Sequence, residues 1–264
     1  MDEALRSFPI TQVAITLALV LCRCGGWVVA SPFPGAHLGQ TGRFALLVAL
    51  TLVTVTVTPR TYVPETLDGR ADEAALSEVG LGLLLGFTFQ VVFSAAEVLG
   101  SVLSVSTSLA TPSVLNPTLG NIETPMARLA TLGALALALA AGVHRVVIGA
   151  LLATFRAMPV GVALRPAAAT GALIDLSAQA LSVGLQLAMP TLAITLLVQL
   201  SLAMIARAAP ALQIFAVGLS ILVATGLLVM LASLRDVGAG LVVALQAVGP
   251  AIEQVLRAVG APGG

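Results

Sequence analysis

Long blocks of apolar residues, broken by short polar and proline-bearing segments, dominate the chain. A helix that crosses the hydrocarbon of a bilayer needs about 20 predominantly apolar residues. Six blocks reach or approach that length: Ile10–Ala30, Phe44–Thr58, Leu76–Leu109, Met126–Phe155, Leu176–Ile205 and Ala211–Leu234. A seventh, Val237–Val259, is less uniform and carries Gln246, Glu253, Gln254 and Arg257; its pattern predicts an amphipathic C-terminal helix. The breaks are marked by Ser31-Pro32-Phe33-Pro34-Gly35, Thr58-Pro59-Arg60, the triple-proline stretch from Pro112 to Pro125, Met158-Pro159-Val160-Gly161, and Arg207-Ala208-Ala209-Pro210. The last break is short enough to predict a tight hairpin between the fifth and sixth blocks. Pro190 falls inside the fifth block and predicts a kink. The predicted fold is all-α: a polytopic membrane protein of about six long helices arranged as hairpins, followed by the C-terminal helix.

Composition strengthens this reading. Of 264 residues, 58% are hydrophobic and 9% charged, with a mean hydropathy of +1.07. A soluble domain carries about 25% charged residues, so this chain lacks the polar shell a soluble core requires. Formal net charge is zero, and every basic residue is Arg. No basic tract points to nucleic acid. The Ile10–Ala30 block ends in Val28-Val29-Ala30-Ser31, loosely like a cleavage site, but Asp2 and Glu3 precede it where a signal peptide needs positive charge. It reads as a retained first helix. Cys22 and Cys24, two apart, fall on different helical faces and read as small apolar filler.

Few chemically active side chains interrupt the blocks, and each costs free energy at membrane depth. They are Arg23 in the first block, Glu78 and Glu97 in the third, and His144 beside Arg145 in the fourth. These are candidate inter-helix polar contacts, and Glu97 is also a candidate for proton relay. Gly142 before His144-Arg145 raises the alternative that the fourth block breaks there. On the third helix, Gly82 and Gly86 form a small-xxx-small pair that admits the backbone of a neighbour. No metalloprotease, phosphate-loop or serine-hydrolase motif is present, so neither catalysis, nor a cofactor, nor a metal is expected. From Ser101 to Asn121 the chain becomes hydroxyl-rich, uncharged and proline-broken. Such a composition suits irregular backbone buried in protein or lining a wet cavity.

Several segments together resemble the FliR family, whose injectisome counterpart is SctT. They are Arg23 with Pro32, Pro34, Arg43 and Pro59; Glu78, Gly82, Gly86, Glu97 and Gly100; Asn116-Pro117; His144 followed by Phe155 to Gly161; and, most specifically, the run Arg207-Ala208-Ala209-Pro210-Ala211-Leu212-Gln213-Ile214-Phe215-Ala216-Val217-Gly218. In that run Arg207, Pro210, Gln213, Phe215 and Gly218 occupy the hairpin motif, with Gln213 where the family usually has Asn. Ser220 stands where a Pro is common, and the family's Asp and Gln-x-Gly near Ser104–Ser108 are missing.

The resemblance implies a non-enzymatic subunit of a flagellar or type III export gate in the bacterial inner membrane. It implies FliP-like and FliQ-like partner subunits, an FlhB-like switch protein, surrounding lipid, and unfolded export substrates in transit. It divides the chain into a FliP-like region, residues 1–170, and a FliQ-like hairpin with the C-terminal helix, residues 171–264. It also implies a channel plug at about 106–121, containing Ser106, Thr107, Leu109, Pro112, Asn116 and Pro117. The alternative from the residues alone is a secondary transporter or channel for a small solute or ion. Such a transporter predicts an inverted repeat, and the two halves of the chain do not resemble each other.

Overall fold

The computed structural model describes residues 10–32, 39–57, 71–108, 125–161, 166–208 and 214–260. Among them there are eight α-helices: α1 Ile10–Ala30, α2 Gln40–Val57, α3 Ala71–Ser106, α4 Pro125–Ala140, α5 Val143–Ala157, α6 Pro166–Ala208, α7 Ile214–Gln246 and α8 Val248–Gly260. Five helical stretches are long and apolar enough to cross a membrane, and the broken pair α4–α5 supplies a sixth candidate span.

Three boundaries differ from the apolar blocks for physical reasons. The fourth block is two helices, because Gly142 adopts φ +75. That left-handed conformation ends a helix and costs glycine nothing. The fifth helix starts at Pro166, ten residues before the apolar block, with proline in the first turn where its missing N–H is not needed; it then runs unbroken through Pro190. The sixth helix continues through Arg235 and Asp236 to Gln246, past the end of its block at Leu234 and well into the predicted seventh. Hydropathy drops at those charges, but nothing there breaks the backbone. The hydroxyl-rich stretch is also helical as far as Ser106, because Ser101, Ser104 and Ser106 donate to the carbonyls of Val98, Gly100 and Leu103 on their own helix. These local bonds hide the hydroxyls from an apolar neighbour.

The chain forms two compact units, one of residues Met1–Val91, Gly142–Leu176 and Ala247–Gly264, the other of Val92–Ala141 and Ser177–Gln246. In the first, α1 packs against α2 and meets the N-terminal half of α3 at a glycine seam. A Cβ at Gly86 would stand 2.9 Å from the Trp27 carbonyl oxygen, and one at Gly26 would stand 2.9 Å from the Leu83 amide. Gly82 lies directly on the Arg23 and Trp27 backbone. The small-xxx-small pair therefore does what its spacing predicts. The amphipathic α8 lays Val248, Ala251, Ile252, Val255 and Val259 inward, all at most 5% exposed, and packs on α5. Its apolar stripe is covered by protein of the same unit.

In the second unit α4 packs on α7, and Gly184 of α6 lies against Ala95 and Val98 of α3. Gly218 of α7 touches Leu202 of α6 near the connection between them, while Gly240 touches Leu187 far from it. Those two pairs make α6 and α7 an antiparallel hairpin.

Candidate functional site

The first unit is organised around a guanidinium. Arg23 of α1 is 2% exposed and Glu78 of α3 is 1% exposed. Their pairing is bidentate, with Arg23 Nε donating to Glu78 Oε2 at 2.5 Å and Nη2 donating to Oε1 at 3.0 Å. The remaining donors go to the end of α5. Nη1 reaches the Met158 carbonyl at 3.1 Å and the Thr154 hydroxyl at 3.4 Å, and Nη2 reaches the same carbonyl at 3.2 Å. All five guanidinium N–H groups are thereby satisfied. Phe155 places its ring 4.3 Å from the guanidinium carbon, a cation–π contact in a desolvated setting.

The local sequence builds this receptor. Pro159 disfavours helical backbone at the residue before it, and Met158 is accordingly extended, at φ −128 and ψ 95. Two residues on, Gly161 takes φ +90 and donates its amide to Glu78 Oε1 at 2.9 Å. The Met-Pro-Val-Gly turn thus offers a carbonyl to the cation and an N–H to the anion. An isolated charge at this depth is costly, and the pair is tolerated because it is internally neutral and fully hydrogen-bonded. Nearby, Cys24 is buried with its Sγ 4.0 Å from the Thr54 hydroxyl.

A second constellation, in the other unit, closes the C-terminal end of α3. The Ser106 carbonyl accepts a bond from the Gln199 side chain at 3.3 Å. Thr107, 2% exposed, donates its hydroxyl to the Leu103 carbonyl at 2.7 Å and sets its methyl group against Gly226 of α7. Ser108 follows at φ +61. Helix ends leave carbonyls without partners, and here a side chain from α6 supplies one.

The other expected residues fall in separate places. Glu97 is exposed on α3, in the second unit. His144 lies in the first turn of α5 and its buried Nδ1 has no hydrogen-bond partner. Arg207 is exposed in the last turn of α6, where its charge complements the helix dipole. Gly218 is buried beside Leu202. Phe215 lies in the first turn of α7. Leu109, Pro112, Asn116, Pro117, Pro210 and Gln213 lie outside the described residues. Arg23 and Glu78 are thus brought together, and Glu97 and His144 are not joined to them. Sequence reasoning did not find Thr154, the Met158 carbonyl or the Gly161 amide. The available signal was a Pro-x-Gly turn in a chain holding two otherwise unmatched, opposite charges. Among the described residues no group of three or more His, Cys, Asp or Glu is placed to hold a metal.

Long apolar helices with their few buried charges neutralised inside the chain define a multi-pass, all-α membrane protein. The chain belongs to the FliR family, matching the description "Bacterial export proteins, family 1" over residues 14–247. It is similar to the flagellar biosynthetic protein FliR of Caulobacter vibrioides, with 29% identity over 223 residues, covering 83% of this chain and 88% of that protein. It is 30% identical to the FliR of Escherichia coli over 159 residues, 60% of each chain. Against the FliR of Pectobacterium carotovorum it is 29% identical over 161 residues, 59% of each. It is therefore a membrane component of the flagellar protein-export apparatus.

Proposed function

We propose that the chain is a non-enzymatic subunit of the export gate in the inner membrane, forming part of the export channel with FliP-like and FliQ-like subunits. An FlhB-like switch protein is the further partner, and unfolded substrates pass through. Residues 1–170 act as the FliP-like part and 171–264 as the FliQ-like part. The segment at about 106–121 closes the idle channel.

The observation that carries this reading is apolar surface too long for a bilayer. Only 17% of the most apolar stretch of α6 is buried within the chain, and 11% of that in Val217–Val259, against 61% for α3. On α6 the exposed large hydrophobic residues run from Ile174 to Ile205, which is about 46 Å at 1.5 Å per residue. The hydrocarbon layer is about 30 Å thick. Fitting one into the other needs a tilt of about 50°, beyond the 0–40° found for transmembrane helices. Neighbouring apolar subunits can cover what lipid cannot. The closing role for 106–121 is supported by its uncharged, proline-broken sequence and by the way Gln199 and Gly226 hold Ser106 and Thr107 at its start.

Co-expression with FliP-like and FliQ-like chains tests the assembly: the three should co-purify as one detergent-stable complex. A stable homodimer of this chain that drives solute uptake in vesicles, with no affinity for those subunits, would sink the reading. Deleting 106–121 in the assembled complex should make membranes leak ions or small solutes, and an unchanged leak would remove the closing role.

A further inference from the structure

Along one face of α6 the exposed residues recur every three or four positions, and their character changes once. Gln179, Ser182 and Gln186 come first, then Pro190, then Ala193, Leu197, Leu200 and Met204. The face is polar before Pro190 and apolar after it. On α7 the same change runs the other way. Its exposed side chains are predominantly large and apolar from Val217 to Leu234, and Arg235 and Asp236, both exposed, follow directly. The two steps stand at one height. Gly240 of α7 lies on Leu187 of α6, so in the antiparallel hairpin Asp236 and Pro190 are each about one turn nearer the connection. On α3, the exposed Glu97 is on the polar side of the same level, because Gly184 packs on Ala95 and Val98. Among the described residues of α3, α6 and α7, Arg207 is the only ionisable side chain between that level and the connected end. The polar residues exposed on α6 beyond Pro190, Gln199 and Ser201, each donate to a carbonyl of the chain. Ser220 of α7 and Arg128, in the first turn of α4, also have partners in the chain.

A protein interface follows one face of a helix. A solvent boundary is a plane, and it cuts every helix at one height, whichever way the faces point. Polarity that changes at one height on three helices is the mark of a plane. The apolar part also has the length of a hydrocarbon layer. Pro190 to Arg207 on α6 and Val217 to Arg235 on α7 span about 26 and 27 Å at 1.5 Å per residue, against about 30 Å of hydrocarbon. Both ends carry charge, Arg207 at one and Arg235 with Asp236 at the other, where ionised groups reach headgroups and water. Pro190 suits the same boundary. It withholds the N–H that the Gln186 carbonyl would accept, and water or headgroups supply a donor there. We propose that bilayer hydrocarbon covers the connected half of the α6–α7 hairpin, from Pro190 and Arg235 to Arg207, and ends at that level. The other half, with Gln179, Gln186 and Gln246, stands outside the hydrocarbon. The proposal rests on the gate reading only for the neighbouring subunits, which are left to cover Leu181, Leu185 and Val243, exposed on the far side of the level.

Nitroxide labels on single cysteines, in the assembled complex reconstituted into lipid vesicles, test this. The background carries Cys22→Ala, and Cys24 is buried. Labels at Leu200→Cys and Leu228→Cys should collide with oxygen in preference to a water-soluble nickel chelate. Labels at Gln186→Cys and Gln246→Cys should show the reverse preference, with the crossover within two turns of Pro190 on α6 and of Asp236 on α7. If the Leu228 variant fails to assemble, Leu231, which is 68% exposed, serves in its place. Preference for nickel at Leu200 and Leu228 overturns the proposal, because water then covers the connected half. Labels there that are shielded from both reagents overturn it as well, because a neighbouring subunit then takes the place of lipid. Preference for oxygen at Gln186 and Gln246 does the same, because hydrocarbon then continues past the level. In a complex shown intact by co-purification, each of these results leaves the gate assignment standing. A chain that never joins the complex overturns the gate assignment, and the same labels on the chain alone in vesicles then decide the boundary.

Discussion

Arg23 and Glu78 stand 55 residues apart in the chain and make a two-point ion pair in which neither side chain is more than 2% exposed. Its cost and its benefit are both large, because both charges are withdrawn from solvent. Breaking a buried pair by removing one partner costs about 3–5 kcal/mol, since the other charge is left without compensation. Arg23→Met and Glu78→Leu alone should each lower the amount of folded protein sharply. The double variant should recover much of the loss. Thermal unfolding of the detergent-solubilised protein, read as a double-mutant cycle, checks this. Additive losses would mean that the pair is not coupled.

The glycine seam gives a sharper contrast. Gly82→Val puts a branched side chain into the backbone of Arg23 and Trp27. It should destabilise by at least the 1–3 kcal/mol typical of overpacking and abolish secretion. Gly133→Ala, inside α4 with nothing near its missing Cβ, should gain up to about 1 kcal/mol from helix propensity and leave motility unchanged. Motility halos with membrane protein levels read both.

At the end of α3, Gly226→Val should displace Thr107 from its notch without touching the Arg23 cluster. The expected result is a protein present at normal levels whose assembled complex leaks. Membrane conductance or solute release from the complex in vesicles measures it, and a tight membrane would detach Thr107 from closure.

The C-terminal helix predicts an asymmetry. Ile252→Asp, at a site 2% exposed, should release α8 from α5 and make the C-terminus protease-sensitive. Glu253 and Arg257 form an exposed i,i+4 pair at 3.6 Å, so Glu253→Ala should change neither proteolysis nor unfolding measurably.

The two thiols should differ in reactivity. Cys24 is buried and Cys22 only half-buried. In the folded, detergent-solubilised protein a maleimide should modify Cys22 first, and Cys24 should react at a comparable rate only after denaturation. Mass spectrometry of the peptide carrying both residues follows the order.

Much of the fold was legible in the sequence. The apolar blocks could hardly be anything but helices among lipid or other apolar protein, because an unpaired backbone cannot sit in hydrocarbon. Gly82 and Gly86 announced a close approach, and the short connection after Arg207 announced the α6–α7 hairpin, because both depend only on local spacing. The FliR likeness was also legible in the sequence, and the family match over residues 14–247 bears the family out. The ends of α6 and α7 were hidden, because apolarity marks where a helix meets grease and says nothing of where it stops.

The tertiary structure alone decided partners. Sequence named Arg23, Glu78, Glu97 and His144 as charges or imidazole in need of company, and gave no means of matching them. Pairing depends on which helix faces which, and on a turn at Met158 to Gly161 that brings a carbonyl and an amide to the same place. The interleaved membership of the two units follows from the same cause: long-range packing is a property of surfaces that meet in space, and the order of residues along the chain constrains it only weakly.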